Sequence, residues 1–354
     1  MNSDFARTLT LGERVVGPGH PVFIIAEVGV NHNGDMDLAK KMVDVAADAG
    51  ADCVKFQTFR SEEFMADRDM IYEYRNRGET VRESMYEMFK RLEFPLERHR
   101  ELFDYARSKG VVPLTSVADP ICMRAAIESG ATALKLASED LINLPLLGAV
   151  AAQGLPLILS TGMADEREVR DAMEILYENG CMDTAFLHCV SLYPTPDSEA
   201  NLARMRDVAN LTGAVTGYSD HTSGVEACLA ATALGARILE KHFTLDRGMT
   251  GPDHAFSADP VEFRALVEGV RRVERQMGAG GLVPGPVEEH FRHEFRRSVV
   301  AARDLPAGAV LGPDDLALKR PGNGIHPRDM RSLCGRTLKA ALRKDEQLTR
   351  ETVE

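Results

Sequence analysis

Short apolar and β-branched runs recur along residues 20–280, separated by longer stretches in which apolar residues return every three or four positions. The runs fall at 22–28, 53–57, 111–116, 133–137, 157–160, 185–190, 215–219 and 238–243. They are continuous rather than alternating, the pattern of strands covered on both faces as in a parallel sheet. Between them, 37–49, 120–129, 166–178 and 225–234 carry helical periodicity, and Gly50, Gly130, Gly180 and Gly235 stand where a helix C-terminus favours glycine. Eight such units at even spacing predict a (β/α)8 TIM barrel rather than a doubly wound sheet. The interval between the second and third strands is enlarged to about 50 residues and contains Tyr72, Tyr74 and a charged, helix-like run at 84–92. A long insertion at the barrel mouth predicts a pocket shaped by it.

Past residue 277 the texture changes. A flexible GAGG at 278–281 precedes a stiff PGP at 284–286, and short β-like pieces then alternate with the turn signals LPAG, GPDD and RPGNG. This divides the chain into a barrel at 1–283, a linker at 284–296 and a small C-terminal domain at 297–354. A core that small is marginal alone and calls for a partner surface.

Composition narrows the function classes. No apolar run approaches the ~20 residues of a membrane span, and residues 1–19 lack the apolar core of a signal peptide. Six cysteines, scattered singly without a CxxC pair, suit reduced thiols, so the expected location is the cytoplasm. A net charge of -12 opposes nonspecific nucleic-acid binding and requires any anionic substrate to be held by a local cluster of cations. No GxGxxG or Walker pattern is present, so neither NAD nor ATP is indicated.

Working residues of a TIM barrel sit at the C-terminal ends of its strands. Those ends carry Glu27, Asn31 and His32; Lys55 and Gln57; Thr115; Lys135, Ser138 and Asp140; Ser160 and Thr161; Ser191 and Tyr193; Ser219, Asp220 and His221; and Glu240 and His242. A lysine in the middle of a buried strand needs an anionic partner. Lys55 or Lys135 alone could be a structural ion pair with Glu27 or Glu240. Two of them at one mouth, with hydroxyls nearby, point to a phosphate and carboxylate site. His221 and His242 lie one βα unit apart, at neighbouring strand ends, where both could reach one divalent cation completed by oxygen ligands: Mn²⁺ first, with Mg²⁺, Co²⁺ or Zn²⁺ as alternatives. His32, His188 and His254 have simpler loop or core explanations.

The chain resembles the sialic acid synthase family. The resemblance is carried by AEVGVNHNG at 26–34, VKFQ at 54–57, LHCVSLYPTP at 187–196, GYSDHT at 217–222 and EKHFTLD at 240–246. The tail, from RSVVAA at 297–302 to KRPGNG at 319–324, is similar to that family's antifreeze-like SAF domain. The resemblance implies phosphoenolpyruvate held by Lys55, Lys135, Ser160 and Ser219 and a divalent metal on His221 and His242. It also implies a domain-swapped homodimer in which Arg320 of each small domain enters the partner's barrel. Gln57, Asp140, Tyr193, Asp253 and Arg320 would orient the sugar, with Thr115, Ser138 and Ser191 among the binding residues. Two departures concern the sugar: Ser191 stands where N-acetylneuraminate synthases often carry Asn, and Asp140 where some relatives carry Glu.

The expected reaction joins C3 of phosphoenolpyruvate to the aldehyde carbon of an open-chain N-acetylated hexose such as N-acetylmannosamine. Water then adds at C2 with Glu27 as base, and phosphate leaves by C–O cleavage. A diacetamido-trideoxyhexose, giving a legionaminic or pseudaminic type of acid, is the alternative acceptor, and a phosphorylated aldose a lesser one. The rival chemistries are a Schiff-base aldolase using Lys135 or Lys55 and a binding protein with a degenerate barrel.

Overall fold

The computed structural model describes residues 5–76 and 78–354. It falls into two compact units, one running to Gly278 and the other spanning Ala279–Glu354. The first is a closed barrel of eight strands: β1 (Phe23–Gly29), β2 (Cys53–Thr58), β3 (Val112–Val117), β4 (Leu134–Leu136), β5 (Leu157–Ser160), β6 (Thr184–Cys189), β7 (Val215–Asp220) and β8 (Ile238–His242). Neighbouring strands pair in parallel, and β8 returns to pair with β1. The sequence expectation of a TIM barrel therefore holds, with strand ends displaced by a residue or two.

Each strand is buried on both faces because alternate residues serve two cores. Phe23, Ile25, Cys53, Leu114, Ile158 and Leu187 point into the barrel, whereas Ile24, Val54, Phe56, Leu134, Leu159 and Phe186 pack outward against the helices. Following the inward set by twos toward the C-terminal ends leads from apolar residues to Glu27, Lys55, Gln57, Ser116, Lys135, Ser160, Ser219, Glu240 and His242. The period of two thus delivers the polar residues to one mouth. Asp35 and Asp165 cap the helices Met36–Asp48 and Glu166–Glu178, the second with a reciprocal Glu168 bond. Gly50 and Gly235 follow their helices at φ 92° and 102°, a left-handed turn that glycine adopts without a Cβ clash.

Two hairpins were not legible in the hydrophobic pattern. Leu9–Leu11 pairs antiparallel with Arg14–Val16, and Leu9, Leu11 and Val16 join the inner core, closing the N-terminal end of the barrel. In the insertion, Ile71–Asn76 pairs with Glu79–Ser84 ahead of the expected helix, observed at Met85–Leu92. Glu73 sits opposite Arg82 in that register, so cross-strand charge supports a hairpin whose composition hides it.

In the second unit the stretch read as linker contains a helix, Pro286–Phe295, begun by a proline that suits a first helical turn. Strands Ser298–Ala301 and Leu316–Lys319 pair antiparallel, and Val299, Leu305, Leu311, Leu338 and Leu348 form a separate small core.

Candidate active site

The C-terminal mouth of the barrel encloses a pocket lined by Glu27, Lys55, Gln57, Lys135, Ser138, Asp140, Ser160, Tyr193, Ser219, His221 and His242, all anticipated from the strand ends. At its base the lysines have different company. Lys55 Nζ lies 2.9 Å from Glu27 Oε2 and 3.5 Å from Glu240 Oε2. Burial works against its charge, but Glu240 and Glu27 together outweigh it and hold the ammonium charged. Lys135 Nζ donates to Ser160 Oγ at 2.6 Å and to the Leu136 carbonyl at 2.8 Å. Among the described residues it has no carboxylate within 4.0 Å, and burial lowers its pKa. The structural ion pair is therefore on Lys55, whereas Lys135 is the lysine left without one. A buried cation without a counter-ion is the group that an anionic substrate stabilises.

The two carboxylates are not equivalent. Burial raises Glu240, but Lys55 and then Lys135 outweigh that and lower it, with Ser219 Oγ donating to it at 2.8 Å. Glu27 is pushed up to about 7 by burial; Lys55 opposes the rise and Glu240 adds to it. Gln57 Nε2 orients its other oxygen at 2.9 Å. Glu27 is thus the carboxylate that exchanges a proton near neutrality.

Across the mouth the rings of His221 and His242 are 5.3 Å apart, centroid to centroid. His221 Nδ1 donates to the Val190 carbonyl at 2.8 Å, which leaves Nε2 as its free nitrogen in the neutral tautomer. His242 Nδ1 is buried without a hydrogen-bond partner, and Asp253 Oδ2 lies 3.6 Å away. Burial holds His242 well below the usual imidazole range, with His221 adding to the effect. One unpartnered nitrogen and one carbonyl-oriented ring fit a divalent cation. Among the described residues no set of three or more His, Cys, Asp or Glu side chains is arranged as a complete metal cage.

Burial pushes Asp140 and Asp253 up to about 6. Tyr193 packs on His221 at 4.3 Å. Ser191 Oγ and Ser138 Oγ converge on Gly162, where an added Cβ would lie 2.6 and 2.7 Å from them, and Ser191 Oγ is buried without a partner. Phe59, Phe64 and Phe89, in mutual edge-on contact at 5.2–5.8 Å, form an apolar wall of the pocket.

Thr115, expected at the site, stands elsewhere. Thr115 shares the outward parity of Phe56, its register partner; its hydroxyl bonds Thr58 at 2.7 Å, and Thr58 in turn bonds His99. The polar pocket residue of β3 is Ser116, one position on. Arg320 belongs to the second unit, where its guanidinium lies over the Phe295 ring at 5.3 Å. Glu240, read from its strand end as an ion-pair candidate, lines the pocket too, and Ser116, Cys189 and the phenylalanine wall are additions; strand parity would have found Ser116. His32, His188 and His254 are fully buried and held by local bonds to Gly34, Ala200 and Thr244, as a core or loop role requires.

The NeuB family model matches residues 42–281 and the SAF domain model residues 296–354. The chain is 39% identical to the N,N'-diacetyllegionaminic acid synthase of Legionella pneumophila, over 96% of each sequence. It is 35% identical to the mouse N-acetylneuraminate-9-phosphate synthase, over 96% of this chain and 95% of that one. The crystal structure of N-acetylneuraminic acid synthetase from Leptospira borgpetersenii superposes with a TM-score of 0.73 at 36% identity, covering 81% of this chain and 95% of that one. With the polar ring of the barrel mouth in place and both family models matched in order, the chain belongs to the NeuB family of nonulosonic acid synthases, enzymes built from a (β/α)8 barrel and a C-terminal SAF domain.

Proposed function

We propose that the chain condenses phosphoenolpyruvate with an open-chain, N-acetylated hexose of the N-acetylmannosamine kind and releases inorganic phosphate. The observation that carries this reading is Lys135, a buried cation beside Ser160 with no carboxylate partner, facing two imidazoles at adjacent strand ends. His221 and His242 would hold a divalent cation, Mn²⁺ before Mg²⁺ or Co²⁺, whose contribution is to polarise the aldehyde oxygen. Lys135, with Ser160 and Ser219, holds the phosphate and carboxylate and keeps C3 of the enol directed at the aldehyde carbon. When the C–C bond forms, positive charge develops at C2, beside Glu27 and Glu240. Glu27 accepts a proton from the water that adds there, and the hemiketal phosphate then breaks its C–O bond to give phosphate and a 2-keto acid. Asp140, Asp253, Tyr193, Gln57, Ser138 and Ser191 orient the acceptor.

A diacetamido-trideoxyhexose is the second reading of the acceptor. The Phe59, Phe64 and Phe89 wall suits a methyl group better than a hydroxymethyl, and the legionaminic acid synthase is more identical to this chain than the 9-phosphate synthase. We also propose a cytoplasmic homodimer in which the SAF domain caps the partner's barrel through Arg320. In support, Val287, Phe291 and Phe295, spaced four apart on one face of their helix, are exposed.

The test is phosphate release from phosphoenolpyruvate with a panel of unphosphorylated and phosphorylated aldoses, with Mn²⁺ and with EDTA. Turnover with an N-acetylated hexose, lost in EDTA, is expected. Activity indifferent to EDTA, together with a borohydride-trapped adduct at Lys135, would replace the reading with an imine-forming aldolase.

A further inference from the structure

The outer face of the barrel wall packs mainly apolar residues against the helices, but beneath the two histidines it carries a buried ion pair. Asp220 and Lys241 are register partners on β7 and β8, both essentially inaccessible, with Nζ and Oδ2 2.8 Å apart. Replacing such a pair with packed apolar residues is often neutral or stabilising, so its presence calls for a reason other than net stability.

The reason lies in what the pair fastens. The ladder between β7 and β8 ends at Asp220 and Lys241, so His221 sits one residue beyond the last paired position. Past that point Asp220 Oδ1 accepts from the backbone N–H of Thr222 and from its hydroxyl, each at 2.8 Å, and from Tyr218 OH at 3.1 Å. Oδ2 receives the Cys228 thiol as well as the lysine. Lys241 also donates to the Thr222 carbonyl. The peptide groups on both sides of Thr222, the residue that follows His221, are tied to this ion pair, and Lys241 immediately precedes His242.

We infer that Asp220 and Lys241 are positioning residues that fix the spacing of the His221 and His242 imidazoles, and that their function is to pre-form the divalent-cation site. The inference deepens the proposed reaction and rests on its assignment of the histidines. Neither side chain enters the pocket. Their effect passes through the strand ends, and a site held in advance binds without the cost of ordering its ligands.

The test is the double variant Asp220→Asn with Lys241→Met, which removes both charges together and leaves neither ion stranded. Melting temperature, Mn²⁺ affinity by calorimetry, and kcat and KM for phosphoenolpyruvate are measured side by side. Mn²⁺ Kd is expected to rise at least tenfold and kcat to fall, with the phosphoenolpyruvate KM within twofold of wild type, because Lys135 and Ser160 lie on other strands and Ser219, though on β7, stays within the paired ladder and bonded to Glu240. A folded double variant with wild-type Mn²⁺ affinity and kcat overturns the inference and leaves the pair a purely structural element. If the double variant does not fold, Thr222→Val decides, since it removes only the hydroxyl bond to Asp220. About threefold weaker Mn²⁺ binding supports the inference, and unchanged binding overturns it. Should wild type bind no Mn²⁺, the metal assignment itself fails; positioning is then decided by the kinetics, a fall in kcat at constant KM supporting it and an unchanged kcat ending it.

Discussion

Replacing Lys135 by Met separates substrate binding from folding more cleanly than any other change at the mouth. The side chain is 1% exposed and, among the described residues, bonded only to Ser160 and a carbonyl. At about 3 Å and an effective dielectric near 20, one phosphate charge against this ammonium is worth about 5 kcal/mol before desolvation. Truncating one member of a desolvated charge pair costs about 2–5 kcal/mol, so the phosphoenolpyruvate Kd should rise between about 30-fold and a few thousandfold. Stability should change little. The methionine leaves Ser160 Oγ and the Leu136 carbonyl each short of one bond, about 0.5–1.5 kcal/mol apiece, and removes a cation whose burial already disfavours its charge. Lys55→Met is the contrast: it strands Glu27 and Glu240 together, and breaking a buried ion pair costs about 3–5 kcal/mol. Calorimetric titration with phosphoenolpyruvate, beside a melting curve for each variant, checks both halves. A Lys135→Met protein that binds phosphoenolpyruvate within threefold of wild type, or that melts below Lys55→Met, refutes the division of labour between the two lysines.

His221→Ala and His242→Ala should each abolish cation-dependent turnover and leave the melting temperature nearly unchanged; Mn²⁺ calorimetry on the two variants checks it, and wild-type affinity in both would remove them as ligands. Native Glu27 holds its proton more tightly than an unfolded chain does, so its contribution to stability is greatest at low pH and is lost as pH rises from about 4.5 to about 7, while kcat/KM climbs through the same window as the base forms. Glu27→Gln should flatten the stability slope and remove the rising limb of the rate profile together. Ser116→Ala should raise the phosphoenolpyruvate or acceptor KM, whereas Thr115→Val, on the outward face, should lower the melting temperature by a few degrees and leave both KM values alone. Mixing inactive His242→Ala and Arg320→Ala chains should restore about a quarter of wild-type activity under random exchange, since half the dimers are mixed and each rebuilds one complete site; no recovery once native mass spectrometry shows mixed dimers would mean that each cap serves its own barrel.

Much of the barrel was readable from the chain because its strands are continuous apolar runs, its helices are amphipathic, and Gly50 and Gly235 mark helix ends where a left-handed residue is required. The mouth was readable for the same reason: Lys55, Lys135, His221 and His242 interrupt apolar runs at strand ends, and a polar residue in that position has to face a cavity or a partner. The insertion hairpin was not readable, because its stability comes from pairing Ile71–Asn76 with Glu79–Ser84 and from packing Tyr74 on Phe59 and Met88, contacts that no local pattern encodes.

Local order along the chain sets the alternation of strand and helix and the residue types gathered at one end of the barrel. Only the tertiary structure decided which of those residues face one another. A strand buried on both faces shows no polar–apolar alternation, so Thr115 and Ser116 look equally placed until the closed barrel sets their parity. Charge partners are likewise a matter of geometry rather than order: Lys55 takes Glu27 from β1 and Glu240 from β8, Lys135 takes no carboxylate among the described residues, and Lys241 turns outward to Asp220 because neighbouring positions on a strand must point to opposite faces.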